Sequence, residues 1–126
     1  MYTLKVREHF DAAHHLIGYE GKCARVHGHR WIVEAEVASE GLSTDSMVED
    51  FGKIKGILRS LLPDHLDLNG VYDFSPTAEN LAKALYEQMR ARVPGTVSLT
   101  VWESPECSCR YELPAAACNG GCRCSA

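Results

Sequence analysis

His27-Gly28-His29-Arg30-Trp31-Ile32-Val33-Glu34-Ala35-Glu36-Val37-Ala38-Ser39 decides the fold. From about Gly28 to Ser39, Trp31, Val33, Ala35 and Val37 alternate with Arg30, Glu34 and Glu36. This is the pattern of a half-buried antiparallel strand. The strand begins at His-Gly-His. In extended chain, residues i and i+2 point to the same side, so His27 and His29 are presented together. Neutral imidazole is a common zinc ligand, and three protein ligands plus an open position mark a catalytic zinc site. A third histidine must come from another segment, and His14 and His15 are the candidates. Only one of them can share the sheet face of His27 and His29. The plainer reading of His-x-His is a solvated strand face.

Working outward, Tyr2 to His14 reads as a strand whose parity slips between Glu8 and Phe10, a slip that a bulge can absorb. A glycine-punctuated loop follows from Gly18 to about Val26. Beyond Ser39, Asp50 caps a helix with Phe51, Ile54, Leu58 and Leu61 at helical spacing, and Pro63 ends it. Asp64, His65 and Asn69 lie in a loop. Ser75-Pro76 begins a second helix, with serine as cap and proline in the first turn. Its buried stripe is Ala78, Leu81, Ala82, Leu85 and Met89. Thr96 to Trp102 alternates again, with Val97, Leu99 and Val101 on one face, and Ser108 to Leu113 forms a last strand. The order ββααββ predicts an α+β domain: a four-stranded antiparallel sheet with two helices on one face.

Composition narrows the function. A chain of 126 residues with 45% hydrophobic content suits one domain with a single core. It has no apolar run long enough to span a membrane. The start, MYTLKVREHF, lacks a signal peptide's apolar stretch, so a cytoplasmic location is expected. The net charge is -4 with scattered Lys and Arg, which argues against a nucleic-acid partner. Cys23 stands alone, while Cys107, Cys109, Cys118, Cys122 and Cys124 crowd the C-terminus. Without a secretion signal a disulfide framework is not expected.

Three further places carry chemistry. Cys23, four residues before His27, reads as a fourth ligand, a buried apolar residue or a reactive thiol beside a cation. Asp64 and His65 can form an orienter and base pair, or an ordinary polar turn. Glu103 ends a strand, either as a surface charge or as a carboxylate able to accept two parallel N–H bonds from a planar heterocycle.

Together the motifs resemble the 6-pyruvoyl-tetrahydropterin synthase family, and most closely its bacterial branch of 6-carboxy-tetrahydropterin synthases in queuosine biosynthesis. The likeness runs from about Leu4 to Glu112. Phe10-Asp11-Ala12-Ala13-His14 is similar to the family's F-x-A-A-H and selects His14 over His15. Cys23-Ala24-Arg25-Val26-His27-Gly28-His29 matches C-x-x-x-H-G-H, Val48-Glu49-Asp50-Phe51 with Ile54-Lys55 resembles V-x-D-F-x-x-[LI]-K, and Asp64-His65-Leu66-Asp67-Leu68-Asn69 matches D-H-x-x-L-N. Pro76-Thr77-Ala78-Glu79-Asn80-Leu81-Ala82 resembles P-T-x-E-x-L-A, and Trp102-Glu103-Ser104 the strand end bearing the pterin-anchoring glutamate.

The resemblance implies the tunnelling fold (T-fold), whose sheets join into a barrel in a homo-oligomer, typically a hexamer of two stacked trimers. It implies a zinc-dependent lyase with Zn²⁺ on His14, His27 and His29, catalytic Cys23, Asp64 and His65, and a pterin site at Glu103 with Thr77 and Glu79. The implied substrate is 7,8-dihydroneopterin triphosphate, converted to 6-carboxy-5,6,7,8-tetrahydropterin with release of acetaldehyde and triphosphate. The alternatives are 6-pyruvoyl-tetrahydropterin synthase activity and a non-catalytic metal-binding module. Lys22, Arg25 and Arg30 are cations open to the triphosphate. The domain is read as 1–113, followed by a Cys-rich tail, 114–126.

Overall fold

The computed structural model describes residues 1–113. The expected tail, 114–126, with Cys118, Cys122 and Cys124, lies outside the described residues. Two long strands, β1 (Tyr2–His14) and β2 (His27–Ser39), are followed by α1 (Phe51–Leu61), β3 (Leu66–Asp67) and α2 (Leu68–Val71). Then come α3 (Ala78–Arg92), β4 (Thr96–Ser104) and β5 (Cys107–Tyr111). The sheet order is β3-β1-β2-β4-β5.

The expected four-stranded, wholly antiparallel ββααββ sheet is thus corrected to a five-stranded mixed sheet with three helices. Four strands pair antiparallel, and β3 joins the edge of β1 in parallel through Ala12↔Leu66 and Ala13↔Asp67. Both additions come from the segment read as a loop. A two-residue strand carries no periodicity, and α2 is one turn, capped by the Asp67 carboxylate on the Asn69 N–H.

The bulge expected in β1 is absent. β1 and β2 pair without interruption from Tyr2↔Ser39 to His14↔His27. Glu8 therefore stays on the buried face with Val6, Phe10 and Ala12, only 6% exposed. Arg59 at 2.8 Å and Lys55 at 3.4 Å, both from α1, neutralise it. The bulges lie in β4. Thr96 pairs with Val37 and Ser98 with Glu36, leaving Val97 unpaired, so Val97 is exposed while Leu99 and Val101 stay in the core.

α1 begins at the Asp50 cap as expected, its carboxylate accepting from the Gly52 N–H. α3 begins two residues later than expected. Thr77, not Ser75, caps it by accepting from the Asn80 N–H. Ser75 Oγ instead accepts from the Ile17 N–H at 3.0 Å, tying this loop to the chain leaving β1. Ile54 and Leu58 of α1 and Leu81, Ala82, Leu85, Tyr86 and Met89 of α3 form one core with Phe10, Trp31, Val33, Leu99 and Val101. The opposite sheet face is charged and paired: Lys5 with Glu36, Arg7 with Glu34, Arg30 with Asp11.

Trp31 is wholly buried and stacks on Phe10, its partner across the ladder, at 6.0 Å. Trp31→Ala is expected to lower stability by about 3–5 kcal/mol, the range for truncating a buried aromatic. Urea unfolding of the purified variant measures this.

Candidate metal centre and active site

The β1–β2 register builds the centre. His14 pairs with His27, and Ala12 with His29, so the three imidazoles share the core-facing side of two adjacent strands. Their ring centroids lie 4.5, 5.0 and 4.8 Å apart. Each can offer a ring nitrogen within 4.8 Å of the others. Trp31 floors the group, edge-on to His14 and His29.

Backbone carbonyls fix the ring orientations. His14 Nδ1 lies 2.8 Å from the Pro76 carbonyl, and His27 Nδ1 lies 2.7 Å from the Arg25 carbonyl. A carbonyl only accepts, so both rings carry their proton on Nδ1 and present a lone pair at Nε2. His14 Nε2 and His29 Nε2 are buried without a hydrogen-bond partner. Ring nitrogens left without partners and converging in one place, with His14 and His27 oriented by carbonyls on the opposite nitrogen, suit a divalent metal. The three histidines fit a zinc ion. Burial pushes the His14 and His29 pKa values down, keeping the rings neutral and ready to ligate.

Glu103 meets the same centre from β4. Trp102 pairs with Ser108 and Ser104 with Cys107, so Glu103 is the extra residue of a bulge. Bulges re-aim side chains, and this one brings Glu103 Oε2 to 3.5 Å from His14 Nε2 and 3.7 Å from His29 Nε2. A pocket of about 560 Å³ opens here, lined by Arg7, His29, Arg30, Trp102, Glu103 and Pro105 among others. Its size suits a bicyclic heterocycle.

His15 is excluded from the centre. Its N–H donates to Asn69 Oδ1 at 2.8 Å, and Asn69 Nδ2 donates to the His15 carbonyl at 3.1 Å. This clamp fixes the end of β1 immediately after His14. Cys23 is half-buried in the 3-10 turn Lys22–Ala24, its carbonyl accepting from the Leu16 N–H, and its thiol is not among the converging ligand atoms.

Asp64 and His65 form a separate cluster with Asp11. His65 Nδ1 lies 2.9 Å from Asp64 Oδ2, and the other Asp64 oxygen accepts from the Asp11 N–H. The His65 N–H donates to the Asp11 carbonyl, and Arg30 clasps the Asp11 carboxylate through two 2.9 Å bonds. His65 has φ 59, a left-handed conformation that favours glycine and is held here by these bonds. The Asp11 N–H, then His65, hold the Asp64 carboxyl below its usual pKa. The pair is exposed at the sheet edge and does not join the three histidines. Thr77 caps α3, and Glu79 is exposed in its first turn. Of the expected triphosphate cations, Arg30 faces the pocket but is already paired with Asp11. Arg7 was not singled out from the sequence. Its signal was its parity, which puts it on the same face as Arg30 once β1 lacks a bulge.

A family model described as 6-pyruvoyl tetrahydropterin synthase matches residues 3–114. The chain belongs to that family. It is therefore an enzyme of pterin conversion by descent. A Synechocystis sp. relative named 6-carboxy-5,6,7,8-tetrahydropterin synthase is 39% identical over 114 residues, covering 83% of this chain and 88% of the relative. A Bacillus subtilis relative of the same name is 32% identical, covering 89% and 86%. A Pyrococcus furiosus relative named dihydroneopterin monophosphate aldolase is 37% identical, covering 79% and 88%. The solved Caenorhabditis elegans 6-pyruvoyl tetrahydropterin synthase superposes with TM-score 0.79 at 24% identity, over 90% of this chain and 96% of that one, so the two share a fold.

The depressed histidine pKa values set a pH dependence for the metal-free protein. The unfolded chain takes up protons near the ordinary pKa of about 6.5, and the buried rings refuse them. The unfolded state then binds more protons, so stability rises with pH up to that value. The metal-free melting temperature is expected to fall as pH drops from 7.5 to 5.5. The fall should be shallower in His14→Gln and His29→Gln, as calorimetry across that range will show.

Proposed function

We propose that this chain is a zinc-dependent 6-carboxy-5,6,7,8-tetrahydropterin synthase serving queuosine biosynthesis. It would convert 7,8-dihydroneopterin triphosphate to the 6-carboxy product, releasing acetaldehyde and triphosphate. The observation that carries this reading is the convergence of His14, His27 and His29, with the Nε2 atoms of His14 and His29 orphaned, beside Glu103 and an open pocket. The names of the Synechocystis and Bacillus relatives support the choice of product.

When bound, zinc supplies Lewis-acid polarisation of the substrate's side-chain oxygens. Glu103 accepts two N–H bonds from the pterin ring. Cys23 gives and takes protons at the side-chain carbons next to the ring. Asp64 orients His65, and the imidazole acts as a second proton carrier. Thr77 and Glu79, from the segment shared with the family, would help to bind the pterin.

The working form is a homo-oligomer, a hexamer of two trimers, in the cytoplasm. Two observations support assembly. Among the described residues, β1 has no partner strand on its outer edge before Ala12. The Asp64–His65 pair stands on that edge, apart from the histidines of its own chain. Both fit a site completed by the neighbour's pair. No helix among the described residues is long and apolar enough to cross a membrane.

Product identification after incubating the zinc-loaded protein with 7,8-dihydroneopterin triphosphate tests the proposal. The expected products are 6-carboxy-tetrahydropterin and acetaldehyde. A 6-pyruvoyl product would move the chain to the alternative activity, and no turnover of any reduced pterin, monophosphate included, would leave a metal-binding module.

Three variant experiments follow. His27→Ala should lose zinc while His15→Ala keeps it, by metal analysis. Cys23→Ala should keep zinc and fold but lose about 10² or more in turnover, the scale of a removed acid–base group. Mixing Cys23→Ala with His65→Ala subunits should restore part of the activity that neither homo-oligomer has.

A further inference from the structure

Glu103 presents a feature that pterin anchoring does not explain. Its Oε2 lies 3.5 Å from His14 Nε2 and 3.7 Å from His29 Nε2, and neither nitrogen has a hydrogen-bond partner. Carboxylate–imidazole hydrogen bonds are shorter than this. A tetrahedral zinc site explains the spacing better. Bonds of about 2.0–2.2 Å to nitrogen and oxygen place neighbouring ligand atoms about 3.3–3.6 Å apart. The oxygen stands near the distance of a fourth vertex from His14 and His29, and outside the 4.8 Å group that these two form with His27, so a small swing of the carboxylate completes the approach. It is brought there by the bulge at Glu103, which breaks the β4–β5 ladder between Trp102 and Ser104.

Resting on the metal site of the previous section, we propose that Glu103 is the fourth, displaceable metal ligand of the substrate-free enzyme. The carboxylate holds the position that an open catalytic site would otherwise leave to water. It must leave that position to accept the N–H groups of a pterin ring. Pterin binding and the freeing of a metal position are then one event, because a single carboxylate serves both. Glu103, with contacts of 3.5 and 3.7 Å to two of the histidine nitrogens, is the candidate the geometry favours over Cys23.

Cobalt substitution of the full chain tests this, with Co²⁺ and azide as the probes. The wild-type cobalt protein should show four-coordinate absorption bands without a thiolate-to-cobalt charge-transfer band. Its spectrum should not respond to azide. Glu103→Gln and Glu103→Ala should bind Co²⁺ at least about tenfold more weakly, the least expected of losing a group that touches the metal. Both should respond to azide, with melting temperatures near wild type showing that they fold. A wild-type spectrum that responds to azide as Glu103→Ala does would overturn the proposal, even with a weakened affinity, because Glu103 would then act only as a neighbouring charge. A charge-transfer band lost in Cys23→Ser would overturn it by giving the position to the thiol. Wild-type Co²⁺ affinity in His27→Ala would instead remove the three-histidine site beneath it.

Discussion

The antiparallel pairing of β1 with β2 runs unbroken from Tyr2↔Ser39 to His14↔His27, and the three-histidine group depends on that register. Side chains alternate faces with a period of two, so a slip of one residue would turn His14 to the opposite face from His27 and His29. The same slip would take Phe10 from beneath Trp31 and the apolar face of β1 from the core. Hydrophobic burial and the common facing of the three histidines are therefore satisfied by one register. The core below Trp31 is also the floor of the histidine group above it.

Keeping the register intact leaves Glu8 on the buried face. A buried carboxylate without partners would be strongly unfavourable. α1 offsets this by lowering Arg59 and Lys55 onto it, so the charge also locates α1 against β1. Deviations from regular pairing are confined to β4, where one bulge turns Val97 outward and the other aims Glu103 at the centre. The irregularity falls where a side chain needs redirecting, and the strand carrying two of the three ligands stays regular through His27 and His29.

The sequence made the main pieces legible because long strands and helices repeat. Trp31, Val33, Ala35 and Val37 announced β2, and Asp50 with Pro63 bracketed α1 within a residue or two. The histidine centre was legible because His-Gly-His is local and strand geometry dictates its facing. The choice of His14 over His15 needed the family motif, and the continuous parity of β1 explains it. What stayed hidden lacks side-chain periodicity. β3 is two residues long, the Pro76 and Arg25 carbonyls that orient the rings are backbone atoms, and the bulges are single insertions. Glu8 misled because a charged residue at a core position reads as a break in pattern until its partners, more than forty residues away in sequence, are seen. The separation of Asp64 and His65 from the histidines depends on the sheet edge, which alternation along one strand does not reveal.

These features converge on one physical claim: His14, His27 and His29 are held with their Nε2 atoms aimed at a common point. Nitrogen NMR of the histidine rings, recorded before and after adding one equivalent of zinc, tests it most directly. The account predicts Nδ1-protonated rings at His14 and His27 in the metal-free protein, and zinc-induced shifts at Nε2 of His14, His27 and His29, with His15 unmoved. Shifts at Nδ1 of His14 or His27, or at His15 in place of His14, would contradict it.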